Sequence, residues 1–406
     1  MTATTHSAKD VLRIALFTYS TKPRGGVIHT LALAEHLQAL GHAVHIFALG
    51  KDQNDFFRPT TAPFTIIPFG VLPNGIELDE KIKRYIQSYY EFLIAHQADS
   101  FDIYHVQDCV SANAVSRVRE EGRIRWFVRT VHHVDDFVSP VLIQCQNDSI
   151  YRPNYRIVVS AYWRQQLQEE FGVDSTVIYS GVDRRFQPPR AVQRAAARSE
   201  LGLDDAFVFL SIGGIEPRKN TVRLLKAFER VRRDLELKGR RTILLFAGGE
   251  TLLDYTPYRQ EFFALLSQST TQPDKDIRLL GVVPDEQIPL LYHAADVLAF
   301  PSIKEGWGLV AMEALACGLP ILTSDLPVFR EYLRSEENAL LVDPLNEAAI
   351  AAGMLRLAED EEIRRRLAAA GPRTAQKFSW DATARAHVDC YRGWLAEQRR
   401  EPGTKR

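Results

Sequence analysis

The feature that most restricts how this chain can fold is an alternation of short β-rich runs with amphipathic helical stretches. The alternation plays through once, breaks, and starts again. Such a pattern builds parallel α/β layers, because a parallel neighbour strand is reached only through a crossover of a dozen or more residues. In the first half, Leu12–Tyr19, Ala43–Leu49, Phe64–Phe69, Asp102–Val106, Arg125–Val131, Arg156–Ser160 and Thr176–Tyr179 read as strands. Gly26–Leu40, Glu77–Gln97, Val110–Glu121 and Ala161–Phe171 read as helices between them. Phe186-Gln187-Pro188-Pro189-Arg190 and the Ala/Arg-rich run to Ser199 are the linker candidate. Strands resume at Phe207–Ile212, Thr242–Ala247, Ile277–Leu280, Val297–Phe300, Pro320–Thr323 and Ala339–Val342. After Asn346 the chain reads as helical and finishes with Trp380–Gln398. The economical architecture is two doubly wound parallel-sheet domains, 1-187 and 188-378, facing across a cleft, with 379-406 as a closing helix.

At 406 residues the chain is too long for one ordinary core. Its 50 Lys and Arg against 51 Asp and Glu leave a net charge of -1, which carries no footprint of a nucleic-acid binder. Cys109, Cys145, Cys317 and Cys390 are far apart in sequence without paired spacing, so free thiols in a reducing compartment and no zinc site are expected. Met1–Asp10 is polar and lacks the basic flank and apolar run of a signal peptide. Apolar stretches are interrupted by Glu313, Pro320 or Arg13, short of the roughly 20 residues that span a bilayer. The expectation is a soluble cytoplasmic protein. Arg117, Arg119, Arg123, Arg125 and Arg129, and the cluster from Arg230 to Arg241, read as solvated faces, and a peripheral membrane patch has only weak support.

The densest chemistry lies between Phe300 and Gly318. Leu309 to Cys317 reads as a helix that is apolar all round and therefore buried, interrupted only by Glu313. An unpaired buried carboxylate costs several kcal/mol or takes up a proton, so a ligand's hydroxyls or a buried base should satisfy it. Eight residues earlier Glu305 sits in a glycine-flanked loop that opens the same helix, where backbone N–H groups suit a phosphate. Two carboxylates for hydroxyls and a helix start for phosphate describe a site for a nucleotide joined to a sugar.

Other loops at strand ends carry weaker signals. Gly213-Gly214-Ile215-Glu216-Pro217-Arg218-Lys219-Asn220 joins a strand to a helix over Thr221–Arg233. Its two cations at a helix start oppose the helix dipole unless an anion such as a diphosphate compensates; the bland reading is a solvated loop. Lys22-Pro23-Arg24-Gly25-Gly26-Val27 lacks the spacing of the dinucleotide fingerprint and is as readily a tight turn as a ligand loop. Thr130-Val131-His132-His133-Val134-Asp135-Asp136 ends a strand, and ligand contact by histidine ranks ahead of loop structure, with a metal third. Ser180-Gly181-Val182-Asp183, Gly248-Gly249 and Gly281 are explained as turns or as points of close backbone approach.

Taken together these residues resemble the retaining glycosyltransferases of family 4, the glycosyl transferases group 1, over nearly the whole chain. The resemblance runs through Gly25-Gly26, Gly41-His42-Ala43-Val44, Thr130-Val131-His132, Tyr179-Ser180-Gly181-Val182-Asp183 and Pro217-Arg218-Lys219-Asn220. Its most specific part is Pro301-Ser302 through Glu305-Gly306-Trp307-Gly308-Leu309 to Glu313-Ala314, the Glu-x7-Glu motif. Many members carry an arginine where this chain has Gly214; a subgroup with Glu-Pro-Arg-Lys-Asn also lacks it, and there Arg218 would substitute.

The resemblance implies a GT-B fold of two Rossmann-like domains, with the last helix crossing back onto the first. It implies transfer of a sugar, a hexose above all, from a nucleotide-diphospho-sugar to a hydroxyl acceptor, with retention and without a metal or other cofactor. His132, Lys219, Arg218 and Glu305 would be the catalytic set. Gly25, Gly26, Gly213, Gly214, Gly281, Ser302, Gly306, Trp307, Gly308, Leu309 and Glu313 would bind the donor, Glu313 through its ribose hydroxyls. UDP, GDP and ADP donors fit alike, as do lipid, glycan and small-molecule acceptors. The competing readings are a sugar-nucleotide epimerase or a phosphorylase of the same fold, and a non-catalytic nucleotide-sugar-binding protein. A dehydrogenase ranks last for want of its fingerprint.

Overall fold

The computed structural model describes residues 11–51, 56–73, 75–96, 101–203, 205–249, 255–269 and 275–400. Met1–Asp10, the last predicted residue of the second helix, Gln97, and the chain beyond Arg400 lie outside them. Backbone contacts divide the chain into two units, one running to Gly181 and resuming at Trp380, the other Val182–Ser379.

The first unit is built on strands β1 (Arg13–Thr18), β2 (Ala43–Gly50), β3 (Phe64–Pro68), β4 (Ile103–Val106), β5 (Val128–Val131), β6 (Tyr155–Val158) and β7 (Thr176–Val177). They form one parallel sheet in the order β3-β2-β1-β4-β5-β6-β7, with Ile14 opposite both Val44 and Ile103. The chain order reverses at β1, so the crevice that such sheets offer to ligands opens at the carboxyl ends of β1 and β4. Helices α1 (Gly25–Ala39), α2 (Leu78–Ala95), α3 (Cys109–Glu120), α4 (Pro140–Tyr151) and α5 (Ala161–Phe171) make the crossovers. The closing helix, α14 (Trp380–Arg400), returns to this unit and sinks Ala384, Val388 and Tyr391 into the core formed by Ile14, Leu31, Val128 and Ile157.

Two expectations need revision here. Helix α4 was not foreseen, although Ser139 caps it by accepting from the Leu142 N–H and Pro140 starts it. Arg129 is not solvated: as an interior residue of β5 it is 7% exposed. Cys109 and Cys145, remote in sequence, lie side by side as free thiols, and the Cys109 thiol and burial together push the Cys145 thiol upward.

The second unit repeats the plan with β8 (Phe207–Ile212), β9 (Thr242–Ala247), β10 (Ile277–Gly281), β11 (Val297–Phe300), β12 (Ile321–Ser324) and β13 (Leu340–Val342). The order is β10-β9-β8-β11-β12-β13, so the reversal falls between β8 and β11. The helices are α6 (Ala191–Glu200), α7 (Thr221–Glu236), α8 (Thr256–Gln268), α9 (Ile288–Ala294), α10 (Leu309–Ala316), α11 (Pro327–Arg330), α12 (Glu347–Glu359) and α13 (Glu361–Ala375). Phe209, Leu225, Phe228, Leu244, Phe262, Leu322 and Met354 make its core. The Ala/Arg-rich run read as a linker is helix α6, since alanine and arginine are good helix formers. Arg194 and Arg198 pin it by donating to the backbone carbonyls of His293, Ala294 and Ala295 and to Asp296. Arg232 is likewise buried rather than solvated, and pairs with Glu236 at 2.7 Å. No helix among the described residues is long and apolar enough to cross a membrane.

Candidate active site

In both units most of the candidate residues follow the strands at which the order reverses, while His132 follows β5 and Gly281 ends the edge strand β10. Gly25 and Gly26 open α1 just after β1, and Gly213 and Gly214 follow β8. Ser302 through Gly308 join β11 to α10.

In the second unit the loop after β8 ends in a single 3-10 turn, Pro217–Lys219, closed by Asn220 in the left-handed region with φ 58°. The strain is held by the buried Asn220 side chain, whose amide donates to the carbonyls of Pro301 at 3.0 Å and Pro344 at 2.6 Å. The Ile303 N–H donates to the Arg218 carbonyl at 2.9 Å, tying the two loops together. This clamp brings three charges to one place. Lys219 Nζ lies 2.6 Å from Glu305 Oε1, and an Arg218 guanidinium nitrogen lies 3.2 Å from Glu305 Oε2. Arg218 also pairs with Glu216 at 3.0 Å and donates to the Lys304 carbonyl. Beneath Lys219 the Phe300 ring centre is 4.4 Å from the ammonium.

Glu305 is 6% exposed. Burial alone would raise its pKa, but Lys219 and Arg218 outweigh it and hold the carboxyl at about 2. Burial lowers the Lys219 pKa, with Glu305 opposing. An ammonium has three donors, and the bond to Glu305 uses one of them. Gly213, at φ 140°, is held close to Lys219: a Cβ there would stand 3.1 Å from Lys219 Cε and push that side chain aside. Gly248 makes a tighter approach, where a Cβ would fall 2.2 Å from the Gly213 carbonyl oxygen. Gly281 closes β10 with open space around it.

The loop from Glu305 to α10 is fixed from behind. Gly308 has φ 87°, and a Cβ there would collide with Phe329 at 2.6 Å. The Tyr332 hydroxyl donates to the Trp307 carbonyl at 2.8 Å, and the Trp307 ring packs on Tyr332 and Phe378. Ser302, Gly306 and Trp307 are buried. Helix α10 itself departs from the expectation of complete burial. Ala311, Met312 and Ala314 to Ala316 are buried, whereas Leu309, Val310 and Glu313 are partly exposed. Those three share one face by their spacing of three and four, which is the face that carries the carboxylate.

Among the described residues no cation is in contact with Glu313. Tyr292 of α9 donates to Glu313 Oε2 at 2.7 Å. Burial raises the Glu313 pKa to about 7, against the pull of that hydrogen bond and of Arg185. Arg185 is engaged with Asp285, to which it donates at 2.9 Å and through a second, shorter contact. Sequence reading missed Tyr292, Arg185, Glu216 and the Phe300 platform as parts of this site. Glu216 lies inside a motif already singled out, but Tyr292 is 21 residues from Glu313 on another helix, and no local pattern announces it.

In the first unit His132, just past β5, is half-buried against Gly26, whose added Cβ would lie 3.6 Å from the imidazole. A Cβ added to Gly25 would meet no described atom within 4 Å. His132 Nε2 meets Gln107 Oε1 at 3.2 Å, and its ring stands edge-on to His29 at 4.9 Å. Burial holds its pKa well below the usual histidine range, with Arg129 adding to the effect. The neighbouring His133 pairs with Asp135 at 3.2 Å.

Two parallel doubly wound sheets, with charged and small residues gathered where the strand orders reverse, define the GT-B class of fold. Solved structures bear this out. The sucrose-phosphate synthase of Thermosynechococcus elongatus matches 95% of this chain and 100% of its own, with TM-score 0.77 and 22% identity. Anabaena HepE in complex with UDP and glucose matches 93% and 99%, with TM-score 0.75 and 18% identity.

Residues 193–374 match the family model described as glycosyl transferases group 1, and residues 23–186 match that of glycosyltransferase family 4. The chain belongs to this family of glycosyltransferases. Among curated relatives, the D-inositol 3-phosphate glycosyltransferase of Salinispora tropica is 33% identical over 243 residues. That match takes in 57% of this chain and 49% of the relative, so the chain spans about half of its length. The protein of the same description from Saccharomonospora viridis is 28% identical over 404 residues, 93% of this chain and 91% of the relative.

Proposed function

We propose that the protein moves a sugar from a nucleotide-diphospho-sugar to a hydroxyl acceptor, with retention of configuration and without a metal. The observation that carries this reading is the group of part-buried Lys219 and Arg218 around buried Glu305, in the loop that leads into α10. As the glycosidic bond breaks, negative charge grows on the leaving diphosphate. Lys219, with donors to spare, and Arg218 meet that charge, and the first N–H groups of α10, which no helix partner takes up, add to it. Glu305 keeps both cations fixed before substrate arrives, so little reorganisation is needed during reaction.

Glu313, with Leu309 and Val310 on the partly exposed face of α10, takes the ribose hydroxyls. Gly213, Gly214, Gly281, Ser302 and Gly306 to Gly308 let backbone approach the donor closely. His132 contacts the donor sugar, and Gly25 and Gly26 admit phosphate or acceptor to the first unit. Same-face attack, with the leaving phosphate taking the acceptor proton, needs no protein nucleophile. Anabaena HepE was solved in complex with UDP and glucose, and the curated relatives are named for D-inositol 3-phosphate, so a UDP-sugar and a phosphorylated cyclitol head the screen.

The test combines a panel of UDP-, GDP- and ADP-sugars with acceptors, in EDTA, and reads product anomeric configuration by NMR. Turnover in EDTA with the donor's anomeric configuration kept supports the reading. An inverted product, or activity only on adding a divalent cation, overturns it. Release of free nucleotide with no acceptor consumed, together with a new epimer, points to the epimerase instead.

A further inference from the structure

Behind His132 the first unit carries a line of polar side chains that the proposed reaction does not itself require. Gln107, 3% exposed, stands just past β4 and bridges two imidazoles: its Oε1 is 3.2 Å from His132 Nε2, and its Nε2 is 3.2 Å from His105 Nε2. His105, fully buried, is gripped on its other side by the Tyr391 hydroxyl of α14 at 2.6 Å from Nδ1. The Thr130 hydroxyl lies 2.7 Å from His105 Nε2.

These contacts impose directions. An amide nitrogen has no lone pair to offer, so Gln107 Nε2 donates towards His105 Nε2, whose single lone pair it shares with the nearer Thr130 hydroxyl. The single hydrogen of a neutral His105 is then on Nδ1 and goes to the Tyr391 oxygen. An amide oxygen only accepts, so the hydrogen on His132 is on Nε2. Both imidazoles are neutral in this setting, since burial holds each well below the usual histidine range.

We propose that Gln107 is a positioning residue that fixes His132 as the Nε2–H tautomer, leaving Nδ1 as the bare lone pair presented to ligand. His132 then accepts a hydrogen bond from a hydroxyl of the donor sugar and donates none to it. This rests on the reading of His132 as a donor-sugar contact. A side chain one shell removed commonly sets which nitrogen of a functional histidine is free. Turning the Gln107 amide over would reverse every direction in the line and make His132 a donor through Nδ1.

The test is long-range proton–nitrogen correlation spectroscopy of the full, histidine-labelled chain without ligand, with His132 assigned from the His132→Asn spectrum. The expected result is a hydrogen on His132 Nε2 in the native chain and in Gln107→Glu, which keeps an accepting oxygen. Gln107→Leu should give averaged signals from exchanging tautomers, and about a fivefold higher KM for the donor. A hydrogen on Nδ1 in the native chain, or a Gln107→Leu spectrum identical to native, overturns the proposal. Native Nε2–H signals that no nucleotide-sugar perturbs would leave the tautomer assignment standing and count against the donor-sugar reading instead.

Discussion

Glu305 and Glu313 stand eight residues apart in one unit, the first buried and the second partly exposed, and their surroundings drive them in opposite directions. Around Glu305 the turn after β8 delivers two cations to within 3.2 Å, and the carboxyl is held at about 2. Around Glu313 the nearest partner is a phenol, and burial leaves the carboxyl at about 7. The first is a permanent anion that organises positive charge. The second is a carboxylate short of partners, which is the state that ligand hydroxyls relieve. A motif with two like residues thus hides a division of labour that only the packing of other elements creates.

The comparison is sharpened by a series of changes, taken from the largest expected effect. Glu305→Ala leaves Lys219 without its carboxylate while Arg218 keeps Glu216, and removing the shared partner of this part-buried group costs about 3 kcal/mol, read as a lower midpoint in denaturant. Glu313→Gln should cost far less and stabilise the protein at alkaline pH. Lys219→Ala should reduce kcat by roughly 100- to 1,000-fold, as losing one preorganised charge-stabilising donor does. If Lys219→Ala keeps full turnover on a sugar nucleotide, charge on the leaving group is met elsewhere.

The two carboxylates also predict opposite pH dependences of folding stability. Glu305 is depressed from its ordinary 4.5, so its stabilising contribution is present above pH 4.5 and is lost as pH falls through about 2. Glu313 is raised from 4.5, so its contribution is present below pH 4.5 and is lost as pH rises through about 7. Chemical denaturation between pH 5 and 8 should show a decline on the order of 2 kcal/mol from Glu313 that Glu313→Gln abolishes. An unchanged slope in that variant would break the comparison. The smallest effect is that of Tyr292→Phe. Loss of one hydrogen bond to a charged group should lower nucleotide affinity at pH 7 by about tenfold and by less at pH 8.5, by isothermal titration.

Much of this was legible in the sequence. Both parallel sheets, the helix start at Leu309 and the clustering of cations near residue 218 follow from period and loop composition alone. Three things were not. Helix α6 hides in a run whose prolines and polar residues look like a linker, because only Ala197 of that helix is buried. The open face of α10 is invisible in a segment that is apolar all round, since burial depends on which neighbours cover it. Tyr292, Gln107 and Tyr391 meet their partners across elements far apart in the chain, and a lone tyrosine or glutamine carries no periodic signal.

The most direct test of the central claim is a carboxyl titration by NMR of the glutamate-labelled chain, assigned with Glu313→Gln and Glu305→Gln. The prediction is one carboxyl titrating near 7 that disappears in Glu313→Gln, and one still ionised at pH 3 that disappears in Glu305→Gln. Two carboxyls that both titrate in the ordinary range near 4.5 would contradict the account.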